Sequence, residues 1–411
     1  MITKKPSTKQ PTDTKAQTTA ADIVIAGAGL VGALTALVLA RQFPQWNVVL
    51  LDPATGTPKQ DPRTIALALR SQQMLEELGV WQHIQGATNI EHIHISDSTG
   101  PGSATLHAEK EQVASLGYVV QASGIQAALS GACEQQTGLE WLKGTFIERI
   151  VATDQHKQLH LNNGAVLNTK LLIVTDGSQS PTRAKLGIEM NTTVYGQTAI
   201  AGFIETEKSH NQIAYERFTP QGPLALLPCG PKRFALIWCA EATTVKNLLE
   251  LPEHEFRHQA QELFGSRAGF FVKSERAGAF PLNLSVAQRF VGHRFVVIGN
   301  AAHTLHPVAG QGYNLGLRDI LVLKQVLEQL PSPATDPGDL ALLKQYEALR
   351  KADYRHVQTF TDSLVRLFSS DQSCISFTRR CGLKALRIVP VLAKPLAQKA
   401  MGFGAQETLW R

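Results

Sequence analysis

Cysteine is scarce in this chain: five among 411 residues, Cys133, Cys229, Cys239, Cys374 and Cys381, with no C-x-x-C pair. A disulfide framework is therefore excluded, and a reducing compartment fits. Charge is sparse too, at 18% Asp, Glu, Lys and Arg against about 25% in an average domain. Basic residues outnumber acidic ones by only 40 to 34, a formal +6, while 43% of residues are hydrophobic. Such a composition excludes a disordered chain and a surface built to coat nucleic acid. No internal repeat is visible. A convincing transmembrane run is missing as well, although one stretch imitates it. Residues Ile23 to Ala40 carry no charge and follow a polar leader, 1–20, that holds Lys4, Lys5, Lys9 and Lys15, the order of a signal peptide or anchor. Three glycines cluster at the start of the stretch, and each costs about 1 kcal/mol relative to Ala in a helix interior. The stretch reads instead as strand, turn and helix, and the leader as a flexible tail.

The turn is Gly27-x-Gly29-x-x-Gly32, between the β-branched Ile23-Val24-Ile25 and an Ala/Leu-rich helix ending near Phe43. At this spacing the first glycine allows a tight turn, and the second lets a pyrophosphate reach the backbone. The third lets helix pack on strand, with the helix amino end facing the phosphates. A second strand, Asn47 to Leu51, ends at Asp52, twenty residues past Gly32 and placed to accept from a ribose hydroxyl. Turn and acid specify a dinucleotide, and leave NAD and FAD both open. Further on, helices are expected at Ser71 to Leu78 and Ile125 to Gln136, with one strand at Ile90 to Ile95 between them. Leu159 to Leu161, Asn162-Asn163-Gly164 and Val166 to Val174 read as a hairpin. Short β-rich runs with one helix, Glu253 to Phe264, fill 188–290. A last strand, Phe295 to Ile298, runs into a segment from Gly299 to Asn314, and Leu315 to Leu330 is helical. Only Pro331 to Gly338 looks like a linker.

Three segments now carry a resemblance. The glycine turn, Asp176-Gly177 with the following Arg183, and Gly299 to Asp319 resemble, in order and separation, the signatures of the group A flavin monooxygenases. Asp61 to Leu67, Glu216 to Leu224 and Asn300-Ala301-Ala302 are similar to the ubiquinone-biosynthesis branch of that family, in which Asn300 replaces the usual Asp. The resemblance implies an α/β fold: a Rossmann-like FAD-binding domain of the para-hydroxybenzoate hydroxylase type, an inserted β-rich substrate domain and a helical carboxy-terminus. The expected boundaries are 21–187 with 291–330 for FAD, 188–290 for substrate and 331–411 for the helical region.

For FAD the resemblance implies Gly27, Gly29, Gly32, Asp52, Arg63, Gln121, Asp176, Asn300, Gly310, Gln311 and Gly312. Arg63 and Pro307 are the catalytic candidates, Arg63 gating the flavin and Pro307 packing beside its ring. Physics agrees on the third motif: Gly310-Gln311-Gly312 opens a helix whose amino-terminal dipole stabilises negative charge on a reduced flavin. Asn300 can still bond a ribityl hydroxyl without adding charge. His303 and His306 lack a third ligand nearby and Pro307 interrupts their register, so they read as loop-structuring and no metal is expected. Phe218, Pro223 and Leu224 are the substrate-contact candidates, with ordinary packing as the alternative.

The implied activity is hydroxylation of a polyprenylated methoxyphenol by FAD and O2, with NADH or NADPH as transient reductant. Hydroxylation at another ring position and a non-catalytic FAD-binding subunit of a lipid-synthesis complex are the rivals. A cytoplasmic enzyme handling such a lipid must meet the inner membrane face or receive it from a carrier or complex. From Arg379 to Arg411 seven basic residues, including Arg380, Lys384, Arg387, Lys394 and Lys399, face Glu407 alone and alternate with apolar residues such as Leu392 and Leu396. That pattern fits an anionic membrane surface and, equally, a helix packed on the core with solvated charges.

Overall fold

The computed structural model describes residues 18–56, 61, 63–100, 102–304, 311–331, 336–368 and 390–403. Among them the strands form three sheets. The first is built on β1 (Thr18–Ala26), flanked by β2 (Val48–Asp52) and β11 (Val166–Val174), both parallel to it. It extends through β8 (Leu139–Lys143) on one side and through β18 (Phe295–Val297) and β17 (Val291–Gly292) on the other. The hairpin β9 (Ile147–Ala152) and β10 (Lys157–Leu161) continues from β11. Residues Ile23, Val24, Ile25, Leu50 and Leu171 to Val174 are fully buried, which is what continuous apolar runs mean in a parallel sheet covered by helices. The cover includes α1 (Leu30–Gln42), α3 (Ala122–Gln135) and α7 (Gln311–Leu327), with α8 (Leu340–Phe368) packed on α7. Short α4 (Pro181–Lys185) follows β11 and is capped by Ser180 Oγ, which accepts from Arg183 N at 2.9 Å.

A second sheet crosses the expected domain boundary. Its order runs from β19 (His303–Thr304) through β16 (Phe271–Ala287), β12 (Met190–Thr206), β15 (Arg233–Glu241), β14 (Gly222–Pro228) and β13 (Ile213–Thr219). It ends on β5 (His92–Asp97) and β6 (Ser103–His107). The range 188–290 thus omits a hairpin from the early chain, because β5 pairs in parallel with β13 from His92·Ile213 to Asp97·Phe218. Two helices rather than one cover this sheet, α5 (Ala242–Glu250) and α6 (Glu253–Phe264). Beneath them lies an aromatic core of Phe234, Trp238, Phe256, Phe264 and Tyr215.

The third sheet is β3 (Thr64–Ala68), β7 (Gly117–Gln121) and β4 (Thr88–Ile90), next to α2 (Leu69–Glu77). The single strand expected over Ile90 to Ile95 is therefore two, broken at Glu91 and shared between sheets. The tail boundary also moves: Thr18 to Ala20 are strand, paired with Val166 to Asn168, while 1–17 lie outside the described residues. So do 332–335 of the expected linker. α9 (Pro390–Ala400) ends the described chain, and Leu396, Ala397 and Met401 pack with Leu69 and Leu116. This apolar side of the basic carboxy-terminal segment is occupied by the protein's own core. Arg379, Arg380, Lys384, Arg387 and Glu407 lie outside the described residues. No helix among the described residues is long and apolar enough to cross a membrane.

Candidate functional site

The glycine turn sits between β1 and α1 as its spacing requires. Gly27 has φ +100°, and a Cβ there would lie 2.7 Å from the Cα of Asp176. A side chain on Gly32 would run into the Gly27 carbonyl, whereas nothing lies within 4 Å of one built on Gly29. Gly29 is also the N-cap of α1, with no side-chain cap. The first closing bond of the turn is Ala33 N to Gly29 O, 2.9 Å, so the amides of residues 30–32 are without a hydrogen-bond partner among the described residues. Three unsatisfied donors at a helix amino end beside an open glycine make a site for a pyrophosphate.

Asp52 ends β2 beside this turn. Its Oδ2 accepts from Ala28 N at 2.9 Å and its Oδ1 from Ala54 N at 2.7 Å, which fixes the carboxylate while leaving lone pairs for a ribose. Asp176 closes the turn from behind. It accepts from Thr182 N at 2.9 Å and from Ser180 Oγ, and Thr175 Oγ1 lies 2.8 Å from the carbonyls of both Ala26 and Gly27. The second motif therefore buttresses the first. Arg183 extends the chain of contacts, Nη1 donating to Ala301 O at 2.9 Å.

The third motif is held by a group of residues that the sequence reading did not single out. Asp319, fully buried on α7, accepts from Gly299 N at 2.8 Å, His303 Nε2 at 2.9 Å, Arg350 Nε at 2.7 Å and Tyr354 Oη at 2.7 Å. Burial pushes its carboxyl up, but Arg350 and His303 beside it and the bonds from His303 and Gly299 outweigh this, and the net shift is well downward. Arg350 also bonds Asp353, which in turn bonds Arg318. His303 is thus loop-structuring, and among the described residues no cluster could hold a metal. An Asp inside an apolar helical stretch, Leu315 to Leu323, was the available signal. Asn314 is another: Oδ1 accepts from Ala68 N and Ser71 Oγ, and Nδ2 donates to Ala66 O at 2.9 Å, clamping the amino end of α7 to β3 and α2.

Asn300 is exposed in the turn Gly299–Ala301, with no partner among the described residues, as a free ribityl contact would be. Gln311 and Gly312 open α7 as expected; Gly310, His306 and Pro307 lie outside the described residues. Gln121 is exposed at the end of β7, but the amide that reaches the glycine turn is that of Gln126, whose Nε2 donates to Ala28 O at 2.9 Å. Arg63 precedes β3 with 60% of its side chain exposed, held by Asp61 at 2.6 Å. Leu224 is corrected to a packing residue. It belongs to the aromatic core under α5 and α6, whereas Phe218 and Pro223, paired with each other across β13 and β14, alternate to the opposite face.

The donors and acceptors present fit FAD: free amides for a pyrophosphate, a fixed carboxylate for a ribose, and a free amide side chain beside a helix amino end. A sequence profile described as an FAD binding domain matches residues 20–361. The ubiquinone hydroxylase UbiL of Rhodospirillum rubrum is 35% identical over 93% of this chain and 90% of its own. The 3-demethoxyubiquinol 3-hydroxylase of Escherichia coli is 29% identical over 96% of this chain and its full length. Among solved structures, p-nitrophenol 4-monooxygenase PnpA of Pseudomonas putida shares the fold, with a TM-score of 0.74 at 17% identity, covering 95% of this chain and 100% of that one. Motif by motif and over nearly its whole length, the chain belongs to the FAD-binding-domain family of flavin-dependent monooxygenases.

Proposed function

We propose that this protein hydroxylates the ring of a polyprenylated methoxyphenol in ubiquinone synthesis, with FAD, O2 and NADH or NADPH. The carrying observation is that the three motifs are bonded into one unit, Thr175 to the turn, Arg183 to Ala301 and Gly299 to Asp319, in a chain whose relatives over more than nine-tenths of its length include a ubiquinone hydroxylase and a 3-demethoxyubiquinol 3-hydroxylase. When bound, FAD supplies reduction by the nicotinamide and transfer of one atom of O2 to the ring. The residues of the chain supply position and electrostatics. Amides 30–32 and Asp52 hold the phosphate and ribose end, Asn300 takes a ribityl hydroxyl, and the amino end of α7 offers its dipole to the ring end. Asp176, Asp319 and Asn314 fix those groups in place. Phe218 and Pro223, buried on the sheet face away from α5 and α6, are the apolar contacts for the phenol.

Access of so apolar a substrate is assigned to an anionic membrane surface through the basic carboxy-terminal segment, with a lipid carrier or enzyme complex as the other route. Binding to anionic vesicles that salt does not weaken, or that survives replacement of Arg379, Arg380, Lys384 and Arg387 by Gln, removes the membrane route. The reading as a whole is tested by lipid analysis of cells lacking the gene. A prenylated methoxyphenol one hydroxyl short of the next intermediate should accumulate, and its absence with ubiquinone unchanged refutes the assignment. The position of the missing hydroxyl separates the rival ring positions.

A further inference from the structure

One carboxyl group stands where the fold has no structural use for it. Along β13 the side chains alternate. Tyr215 and Arg217 turn toward α6: Tyr215 meets Phe264 edge-on at 5.4 Å, and Arg217 Nε donates to Leu263 O at 2.8 Å. Ala214, Glu216 and Phe218 take the other face, where Ala214 packs with Ile90 of β4 and Val119 of β7. In register beside Glu216 lie Ile95 on β5 and Ala225 on β14, with Ile237 on β15 beyond. Glu216 is partly buried among these apolar side chains and has no hydrogen bond or ion pair among the described residues. A carboxylate so placed costs stability, and such local conflicts concentrate at functional sites.

Its face of the sheet is also the one turned to the flavin motifs. At one end of this sheet β19, part of the third motif, pairs with Ser285 and Val286. Opposite the face lies the β3–β7–β4 sheet, which Asn314 ties to the amino end of α7. Resting on the hydroxylase reading above, we propose that Glu216 is the proton acceptor for the phenolic hydroxyl of the substrate. The phenol O–H bond breaks and an O–H bond forms on the Glu216 carboxylate. The electron pair left on the phenolate oxygen enriches the ring carbon that receives oxygen. When the ring regains aromaticity that carbon releases its proton to solvent water and Glu216 returns its own to the phenolate oxygen.

Burial alone pushes the Glu216 carboxyl up to about 7, closer to a phenol than an ordinary carboxylate stands and still ionised above neutrality. On its own face the titratable groups include Cys239, a thiol pushed upward by burial and by Glu216 itself, Cys229, which packs with Ala214 and Ile90 and is pushed up to about 11 by burial, and buried Asp97, which accepts from Thr99; further along the face, Arg233 pairs with Glu275 and Lys273 with Glu205. The described side chains of β3, β4 and β7 that share the facing side, Thr64, Ala66, Thr88, Ile90, Val119 and Gln121, carry no charge. Arg63 is paired with Asp61. On α8, which touches β14, Arg350, Asp353 and Tyr354 belong to the Asp319 network, Lys351 pairs with Glu347, and Arg355 and His356 are exposed.

The test uses the FAD-loaded protein with a 2-methoxyphenol bearing one short prenyl group. Wild type should hydroxylate the phenol at pH 8, where little of it is ionised in solution because the usual phenol pKa is about 10. Its hydroxylation should rise with pH through about 7. Glu216→Gln should keep its flavin and its reduction by NADH or NADPH, lose that rise and hydroxylate about a hundredfold slower or worse. Glu216→Asp should regain part of both signals. Equal rates and pH profiles in wild type and Glu216→Gln overturn the assignment, as does loss of flavin from both variants, which makes the residue structural. A wild type that binds no phenol overturns the hydroxylase reading along with it.

Discussion

Replacing Asp319 by Asn should damage stability and cofactor binding together. Two carboxylates, Asp319 and Asp353, face two guanidiniums, Arg318 and Arg350, and the side chains of Arg350 and Asp319 are 2% and 0% exposed. The amide removes one negative charge and turns an N–H2 toward groups that are themselves donors. Arg350 is left as a buried cation with only half its compensation. Breaking a buried pair from one side costs about 3–5 kcal/mol, a third or more of the roughly 5–15 kcal/mol that holds a typical protein folded. Because the folded carboxyl is depressed, its stabilisation is fully present above the unfolded value of about 4 and is lost only as pH falls through the lowered folded value. The deficit in urea unfolding should therefore be constant from pH 5 to 8 and close only in strong acid. Gly299 N and His303 lose their acceptor in the same step, so FAD affinity, read from quenching of flavin fluorescence, should fall at least about tenfold, or 1.4 kcal/mol. The pair Asp319→Leu with Arg350→Met should cost less than the two single losses added. A loss below about 1 kcal/mol with unchanged FAD affinity would refute the idea that this buried network holds the third motif.

Gly29→Asp should lose FAD, because its carboxylate would occupy the space in front of amides 30–32; as a helix cap it should leave the stability of the flavin-free protein unchanged or higher by up to about 1 kcal/mol, and retained yellow colour on purification would contradict this. Asn300→Asp should keep FAD within about tenfold, since either side chain accepts from a hydroxyl, and titration with FAD checks it. Glu216→Gln should be the more stable protein at high pH. The folded carboxyl stands at about 7 against an ordinary 4.5, so wild type loses stability as pH rises between those values, in all about 3 kcal/mol at 1.36 per unit. Urea unfolding of both proteins at pH 4 and pH 8 reads the difference, and equal stability at pH 8 would contradict the burial of that charge.

Local pattern carried the nucleotide half of the molecule well. The glycine turn, Asp52, the hairpin into β11 and strand β18 each depend on a few neighbouring residues, and each is where its spacing put it. What failed depended on partners far away. Thr18 to Ala20 are exposed and carry no large apolar side chain, and become strand only because β11 runs alongside. Ile90 and His92 are both extended, but nothing in their sequence says that Glu91 passes the chain from one sheet to another. Leu224 reads from the sequence as a substrate contact because alternation reveals two faces without naming them; α5 and α6 decide. α5 itself, with Thr243, Thr244 and Val245 in its first turn, has weak helix propensity and forms over the core through Val245 and Leu248. The Asp319 network joins residues 31 and 35 apart, beyond any motif.

The turn that receives the pyrophosphate is finished by Thr175, 148 residues further on, and the amino end of α7 docks on β3 across 248. A polypeptide still emerging from the ribosome has made β1, α1 and β2 long before it owns either support. Until β11 arrives, β1 offers a bare, apolar, parallel edge of the kind that invites pairing with other chains. A complete cofactor site consequently exists only once nearly the whole chain has been made. During synthesis the hazard is aggregation of the early strands, which flavin supply cannot relieve.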